Sequence, residues 1–141
     1  MNIIQTNLNL SEVVNLLLLG DEDFSPSLSS CLDVRAYAEK LSSNAYFIIL
    51  EDVDEIKGCV AYYKNLEGNF IYISHFWVSS LCQRKHYGSM MLETLINSNR
   101  NEYHEIRLEV VKLNPAYFFY ASHGFQIEED RGNKYLLSLV I

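Results

Sequence analysis

Proline, glycine, cysteine and positive charge are all scarce in this chain of 141 residues. Two prolines and six glycines leave no Pro/Gly-rich linker, and no repeat or low-complexity tract breaks the sequence. Residues 1–141 are therefore expected to form one domain. The three cysteines, Cys31, Cys59 and Cys82, are odd in number and none is spaced as CxxC, which indicates neither a disulfide framework nor a zinc site. No apolar run approaches the roughly 20 residues needed to cross a bilayer. The start, MNIIQTNLNL, lacks the basic n-region of a secretory signal, so a cytoplasmic setting without membrane contact is expected. Eleven Lys and Arg against eighteen Asp and Glu give a formal charge of −7, which argues against general nucleic-acid binding. Apolar material is plentiful: 49% of residues are hydrophobic and 21% charged, a balance that excludes disorder.

The pattern along the chain alternates in type. Ser11 is placed to cap a helix over SEVVNLLLL, which Gly20 stops in left-handed conformation. Ser25 and Pro26 read as the N-cap and first position of a second helix, with Val34, Tyr37, Ala38 and Leu41 on one face. From Ala45 the pattern is that of strands: AYFIILE, GCVAYYKN and NFIYISHFWV, separated by the acidic turn EDVDEIKG and by NLEGN. The carboxylates of the first turn lack the spacing of a calcium loop and read as a solvated hairpin tip. A helix over about 87–99 leads to the strand HEIRLEVV, and a strand–helix–strand crossover implies a parallel pair. Asn114 and Pro115 start a further helix, AYFFYASH, which ends at Gly124. A hairpin around Arg131-Gly132-Asn133 closes the chain. The expected fold class is α/β, with a mixed, mostly antiparallel central sheet, one parallel pair that can splay to admit a ligand, and helices on both faces.

The stretch FWVSSLCQRKHYG, from Phe76 to Gly88, concentrates the chemistry. Val78 ends a strand, Ser79 and Ser80 begin a turn, and Gln83, Arg84, Lys85 and His86 form a basic loop. Tyr87, Met91 and Leu95 then recur one helical turn apart. The main-chain amides from about Arg84 to Ser89 open a helix at the positive end of its dipole, where a phosphate is favoured. The same residues also read as an ordinary connection with a solvated basic face. Cys82 beside the cations invites a thiol-nucleophile reading, but no supporting His–Asp arrangement is in place, and a small apolar side chain explains it better.

These elements, in this order, resemble the GCN5-related N-acetyltransferase (GNAT) superfamily. Its acetyl-CoA signature, Q/R-x-x-G-x-G/A after a strand ending in Val, is similar to Gln83-Arg84-Lys85-His86-Tyr87-Gly88 after Val78. Its second signature, an Asn-led helix with a Tyr four residues before Gly-Phe, is similar to NPAYFFYASHGF, with Tyr120, Gly124 and Phe125. The resemblance runs from about Ala45 to the C-terminus. One position departs: His86 stands where the family has glycine, a residue that lets the backbone approach a pyrophosphate closely.

The resemblance implies direct transfer of an acetyl group from acetyl-CoA to a primary amine of a small molecule, amino sugar or peptide, with no metal. It implies acetyl-CoA contacts at Phe76, Trp77, Val78, Gln83, Arg84, Lys85, His86, Tyr87, Gly88, Ser89, Asn114 and Tyr120. Tyr120 is the candidate acid for the leaving thiolate, and its alternative role is as a core aromatic. Glu109 and His75 are candidate bases for the ammonium acceptor; a strand salt-bridge partner and a water relay are the alternatives. Strict alternation sets His75 opposite Tyr72 and Ser74, and a bulge near the strand's end would re-aim it. The oxyanion is expected to meet a backbone N–H near Phe76 to Val78. His104 and His123 read as surface or cap residues. Tyr37, Tyr46, Tyr62 and Tyr63 belong either to the acceptor cleft or to the core. A non-catalytic CoA- or nucleotide-binding sensor on the same scaffold, and an interaction domain without ligand, stay open, as does a homodimer through the apolar C-terminal LLSLVI.

Overall fold

A computed structural model describes residues 1–24 and 27–141, with the side chains of Cys31, Gln83 and Arg84 outside the description. The expected helix start at Ser25 and Pro26 lies outside the described residues. The strands are β1 (Asn2–Thr6), β2 (Tyr46–Asp52), β3 (Glu55–Asn65), β4 (Phe70–Val78), β5 (Glu105–Val111), β6 (Gln126–Asp130) and β7 (Lys134–Val140). The helices are α1 (Leu10–Leu19), α2 (Leu28–Cys31), α3 (Val34–Asn44), α4 (Tyr87–Asn99) and α5 (Ala116–Ser122). The strands form one seven-stranded sheet in the order β1-β2-β3-β4-β5-β7-β6, in which only β4 and β5 run parallel.

Helices cover both faces of the sheet. On one face Ile48, Leu50, Val60, Ile71, Ile106 and Leu108 pack under Met91, Leu92 and Leu95 of α4 and Tyr120 of α5. On the other face Phe47, Ile49, Cys59, Ala61 and Trp77 pack under Val13, Leu16 and Leu17 of α1 and Ala38 and Leu41 of α3. The one-residue alternation along β2, β3 and β4 divides their apolar side chains between these two cores.

Four local expectations are corrected. Strand β1 was not expected: its residues are mostly exposed at the sheet edge, so no alternation marks it in the sequence. Helix α1 is capped by Asn9 instead of Ser11, through a reciprocal box with Glu12 at 2.9 and 3.0 Å. Gly20 has φ −100°, not left-handed; its missing side chain instead makes room for Trp77, because a Cβ there would lie 2.6 Å from the indole. The second helix is two, α2 and α3, since extended Leu32 breaks the run and Asp33 caps α3 by accepting the Ala36 N–H at 3.1 Å. At the other end of the chain, Gly124 and Gly132 do take positive φ, 97° and 83°, at the end of α5 and in the β6–β7 hairpin.

Candidate active site

The site begins with a bulge. Ala61 of β3 pairs with His75 and Tyr62 with Ile73, so Ser74 is an extra residue in β4. Before the bulge Ile71 and Ile73 face α4; after it Phe76 and Val78 do, and His75 and Trp77 turn to the α1–α3 face. The same bulge marks where β4 leaves β5. Parallel pairing runs only from Phe70–Glu105 to Ile73–Leu108, after which β4 stays with β3 and β5 stays with β7. Ser79 N donates to Lys57 O of β3 at 2.7 Å. Alternation then turns the Trp77 N–H to β3 and the Phe76 N–H to the opposite edge, which borders the gap that β5 has left.

The loop beyond Val78 is a 3-10 turn, Ser80–Lys85, that ends on His86 at φ 61°. That is the left-handed region that glycine favours, at the position where the signature carries glycine. Helix α4 then starts at Tyr87, and the amides of Tyr87, Gly88 and Ser89 fall in the first turn, where a helix offers them no carbonyl of its own. Tyr87 hydroxyl donates to Asp52 Oδ2, which holds the Asp52 carboxyl below its usual range and anchors the helix start to the β2–β3 hairpin. Lys85 Nζ lies 6.0 Å from the centre of the Tyr87 ring, and its charge also helps hold the Asp52 carboxyl low. Ser89 Oγ and His123 Nε2 are 2.9 Å apart, tying α4 to the end of α5. Cys82 is buried in the core of this face, as a small apolar side chain.

Helix α5 brings its aromatic rings to the same place. A Cβ on Gly88 would come within 3.3 Å of Phe119, so a larger residue would push into that ring. Phe76 lies 5.5 Å from Phe119 and 5.9 Å from Tyr120, ring centre to ring centre. Tyr120 is 7% exposed and packs edge-on against Phe76, Phe119 and Phe125. No described residue hydrogen-bonds its hydroxyl, and burial pushes the phenol up, which keeps it protonated at neutral pH. Asn114 Oδ1 accepts the Ala116 N–H at 2.9 Å and so caps the helix that carries these rings.

The candidate bases lie on the other face of the sheet. Glu109 is the first β5 residue past the last parallel pair. Its Oε1 accepts the Tyr72 hydroxyl at 3.2 Å, and its Oε2 lies 3.4 Å from Arg131 Nη1, on the β6–β7 hairpin. Burial and the Glu109 charge push Tyr72 up to about 12. His75 is 6% exposed among aromatic rings, 5.3 Å from Phe24 and 6.3 Å from Tyr37, and burial pushes it down to about 4. A histidine held at about 4 is neutral near pH 7, and this one is closed off from the gap by the rings around it. Trp77 is equally withdrawn: its indole lies in the α1–α3 core and donates to Asp23 Oδ2 at 2.8 Å.

Sequence reasoning missed Tyr72, Ser74 and Arg131. Tyr37 hydroxyl joins Ser74 at the bulge, 2.9 Å from its carbonyl oxygen and 2.7 Å from its Oγ. Arg131 reads from sequence only as a hairpin residue, because its partner is 22 positions away. Tyr62 is core on the α4 face and Tyr46 stacks on it at 5.8 Å, so neither borders the gap. Among the described residues no three His, Cys, Asp or Glu side chains are grouped to hold a metal ion, and no helix is long and apolar enough to cross a membrane.

Comparison with known proteins adds a family to this geometry. The model of the acetyltransferase (GNAT) family matches residues 15–125. The chain superposes on a protein of Streptococcus mutans UA159 with TM-score 0.80 at 19% identity, covering 99% of each chain. It superposes on the PaiA N-acetyltransferase of Thermoplasma acidophilum, solved in complex with coenzyme A, with TM-score 0.77 at 17% identity over 100% of both chains. A third neighbour is the ribosomal-protein-S18-alanine N-acetyltransferase of Escherichia coli, with TM-score 0.76, 16% identity and coverage of 99% and 94%. No curated protein sequence matches the chain. At these identities the neighbours establish the fold alone.

Proposed function

Because the chain belongs to the GNAT acetyltransferase family, we propose that it moves an acetyl group directly from acetyl-CoA to a primary amine of a small molecule, amino sugar or peptide. The observation that carries this reading is the parting of β4 and β5 after Ile73 and Leu108, with the Phe76 N–H at its edge, the start of α4 beside it and Tyr120 against it. The residues fit the co-substrate. The amides of Tyr87, Gly88 and Ser89 would hold its diphosphate, with Lys85 adding charge of the right sign. Gly88 presents no Cβ toward Phe119, which lets the start of α4 lie close to α5. The Phe76 N–H would meet the oxygen of the thioester carbonyl as it gains charge.

The gap joins the two faces of the sheet, and this divides the labour. Tyr120, protonated on the α4–α5 face, would donate to the departing thiolate, whose conjugate thiol has a pKa of about 8.5 in a free cysteine. Glu109, on the opposite face, would draw an ammonium acceptor toward the gap and take its proton, with Tyr72 orienting the carboxylate. His75 drops behind Glu109 as the base because its ring is sealed between Phe24 and Tyr37, whereas the Glu109 carboxylate is partly exposed. The sensor alternative leaned on His86 replacing glycine. The unassigned base was its other ground; His86 already takes φ 61°, the left-handed form that glycine favours, which bears on the first ground alone.

The test is release of CoA thiol from acetyl-CoA over a panel of primary amines, with the product identified by intact mass. Glu109→Gln should cut kcat/KM by about 100-fold or more at pH 7 without altering CoA binding. Turnover by no amine, with CoA still bound, would turn the reading to the sensor.

A further inference from the structure

A groove of about 520 Å³ runs between helix α1, edge strand β1 and the β2–β3 hairpin, and shares no lining residue with the gap between β4 and β5. Its size falls in the range of roughly 300–1,000 Å³ that small-molecule sites occupy. Leu8, Leu16, Ile49 and Ile56 form apolar walls, and the charged residues of its lining are Glu12 and Glu51, with no lysine or arginine. Its lips are apolar and exposed: Ile4 is 39% and Leu19 54% accessible.

A bulge explains why the groove is acidic. Leu50 pairs with Gly58 but Glu51 pairs with Ile56, so Lys57 is an extra residue in β3. Counting in twos from Cys59 would bring Lys57 directly across from Glu51 on the same face; the bulge brings Ile56 there instead. Lys57 is spent elsewhere, on Glu55 at 2.6 Å. Other carboxylates of the sheet have partners: Asp52 has the Tyr87 hydroxyl, Glu105 has Arg107 and Glu109 has Arg131. Glu51 has none among the described residues. Glu12 commits Oε1 to the Asn9 N–H at 3.0 Å.

We propose that this groove is a second ligand site, for a small hydrophobic cation of the alkyl- or aralkylammonium class. Its chain lies against Leu8, Leu16, Ile49 and Ile56, and its ammonium meets Glu51 at the hairpin end. An apolar trough with unneutralised carboxylate selects this class over two isosteres. An alcohol forgoes the charge, and a carboxylate is repelled.

The test titrates hexylammonium chloride, hexan-1-ol and sodium hexanoate into the full chain at one ionic strength, by calorimetry and by amide chemical-shift mapping. Hexylammonium is expected to bind one site at least tenfold more tightly than hexanoate, with shifts centred on α1, β1 and the β2–β3 hairpin. Glu51→Gln should weaken hexylammonium about three- to fivefold, the scale of an exposed charge pair, and leave hexanol unchanged. Leu19→Asn, at an exposed lip, should weaken both. Equal hexylammonium affinity in Glu51→Gln, shifts centred on Glu109 and Tyr120, or no binding would overturn the proposal. So would a concentration-dependent dimer in sedimentation that buries the groove. If Glu51→Gln does not fold, the shift map and the hexanoate comparison on the unaltered chain decide the matter.

Discussion

Replacing Tyr120 by Phe separates chemistry from packing, because the two roles predict opposite outcomes. The ring fills space against Phe76, Phe119 and Phe125, and phenylalanine keeps all of those contacts. What is lost is one hydroxyl in a side chain 7% exposed, with no hydrogen-bond partner among the described residues. The hydroxyl oxygen is not among the fully buried unpaired atoms, so water can reach it and its removal should change stability by no more than about 0.5 kcal/mol. In a chain of this size that is a Tm shift within about 2 °C. If the hydroxyl protonates the thiolate, the same change should lower kcat by about 100- to 10,000-fold, or roughly 3–5 kcal/mol of barrier. Calorimetric Tm, CoA affinity by titration and thiol-release kinetics are read on one preparation. A fall of several degrees in Tm, or an undiminished kcat, would refute the assignment.

Three further outcomes follow from the geometry. His86→Gly should raise stability by up to about 1 kcal/mol, since glycine takes positive φ without a Cβ penalty, and should change CoA affinity less than about threefold; thermal melts with and without CoA check both. His75, held near 4 by burial against an ordinary value of 6.5, binds its proton more readily in the unfolded chain. Stability should therefore be full above about pH 6.5 and fall as pH drops toward 4, by up to roughly 3 kcal/mol; a His75→Phe chain should show a flatter Tm profile across that window. Gly20→Ala brings a Cβ within 2.6 Å of Trp77, the only tryptophan, and should cost about 1–3 kcal/mol while shifting its fluorescence. An unchanged emission spectrum would show that the helix end moves aside.

Much of the frame was readable residue by residue. Tyr87, Met91 and Leu95 all lie buried on α4, as their spacing demands, and Gly124 and Gly132 take the positive φ that the turns at those places require. The α5 start at Asn114-Pro115 and the hairpin at Arg131-Gly132-Asn133 likewise depend on neighbours in the chain. Strand β1 escaped because an edge strand with little buried surface carries no periodic signal. The break between α2 and α3 escaped because the apolar spacing continues across Leu32 and Asp33.

The order of elements from β2 onward, the single crossover that makes β4 and β5 parallel, and the loop that opens α4 were thus set by local preference and periodicity, which act over a few residues. Tertiary structure decided where the parallel pair ends, which face His75 and Trp77 take after the bulge at Ser74, and that Tyr72, Glu109 and Arg131 meet. Each of those depends on strand register, and a shift of one residue moves a side chain through the sheet. Register is a contest among pairings tens of residues apart, so no window of the chain contains the answer.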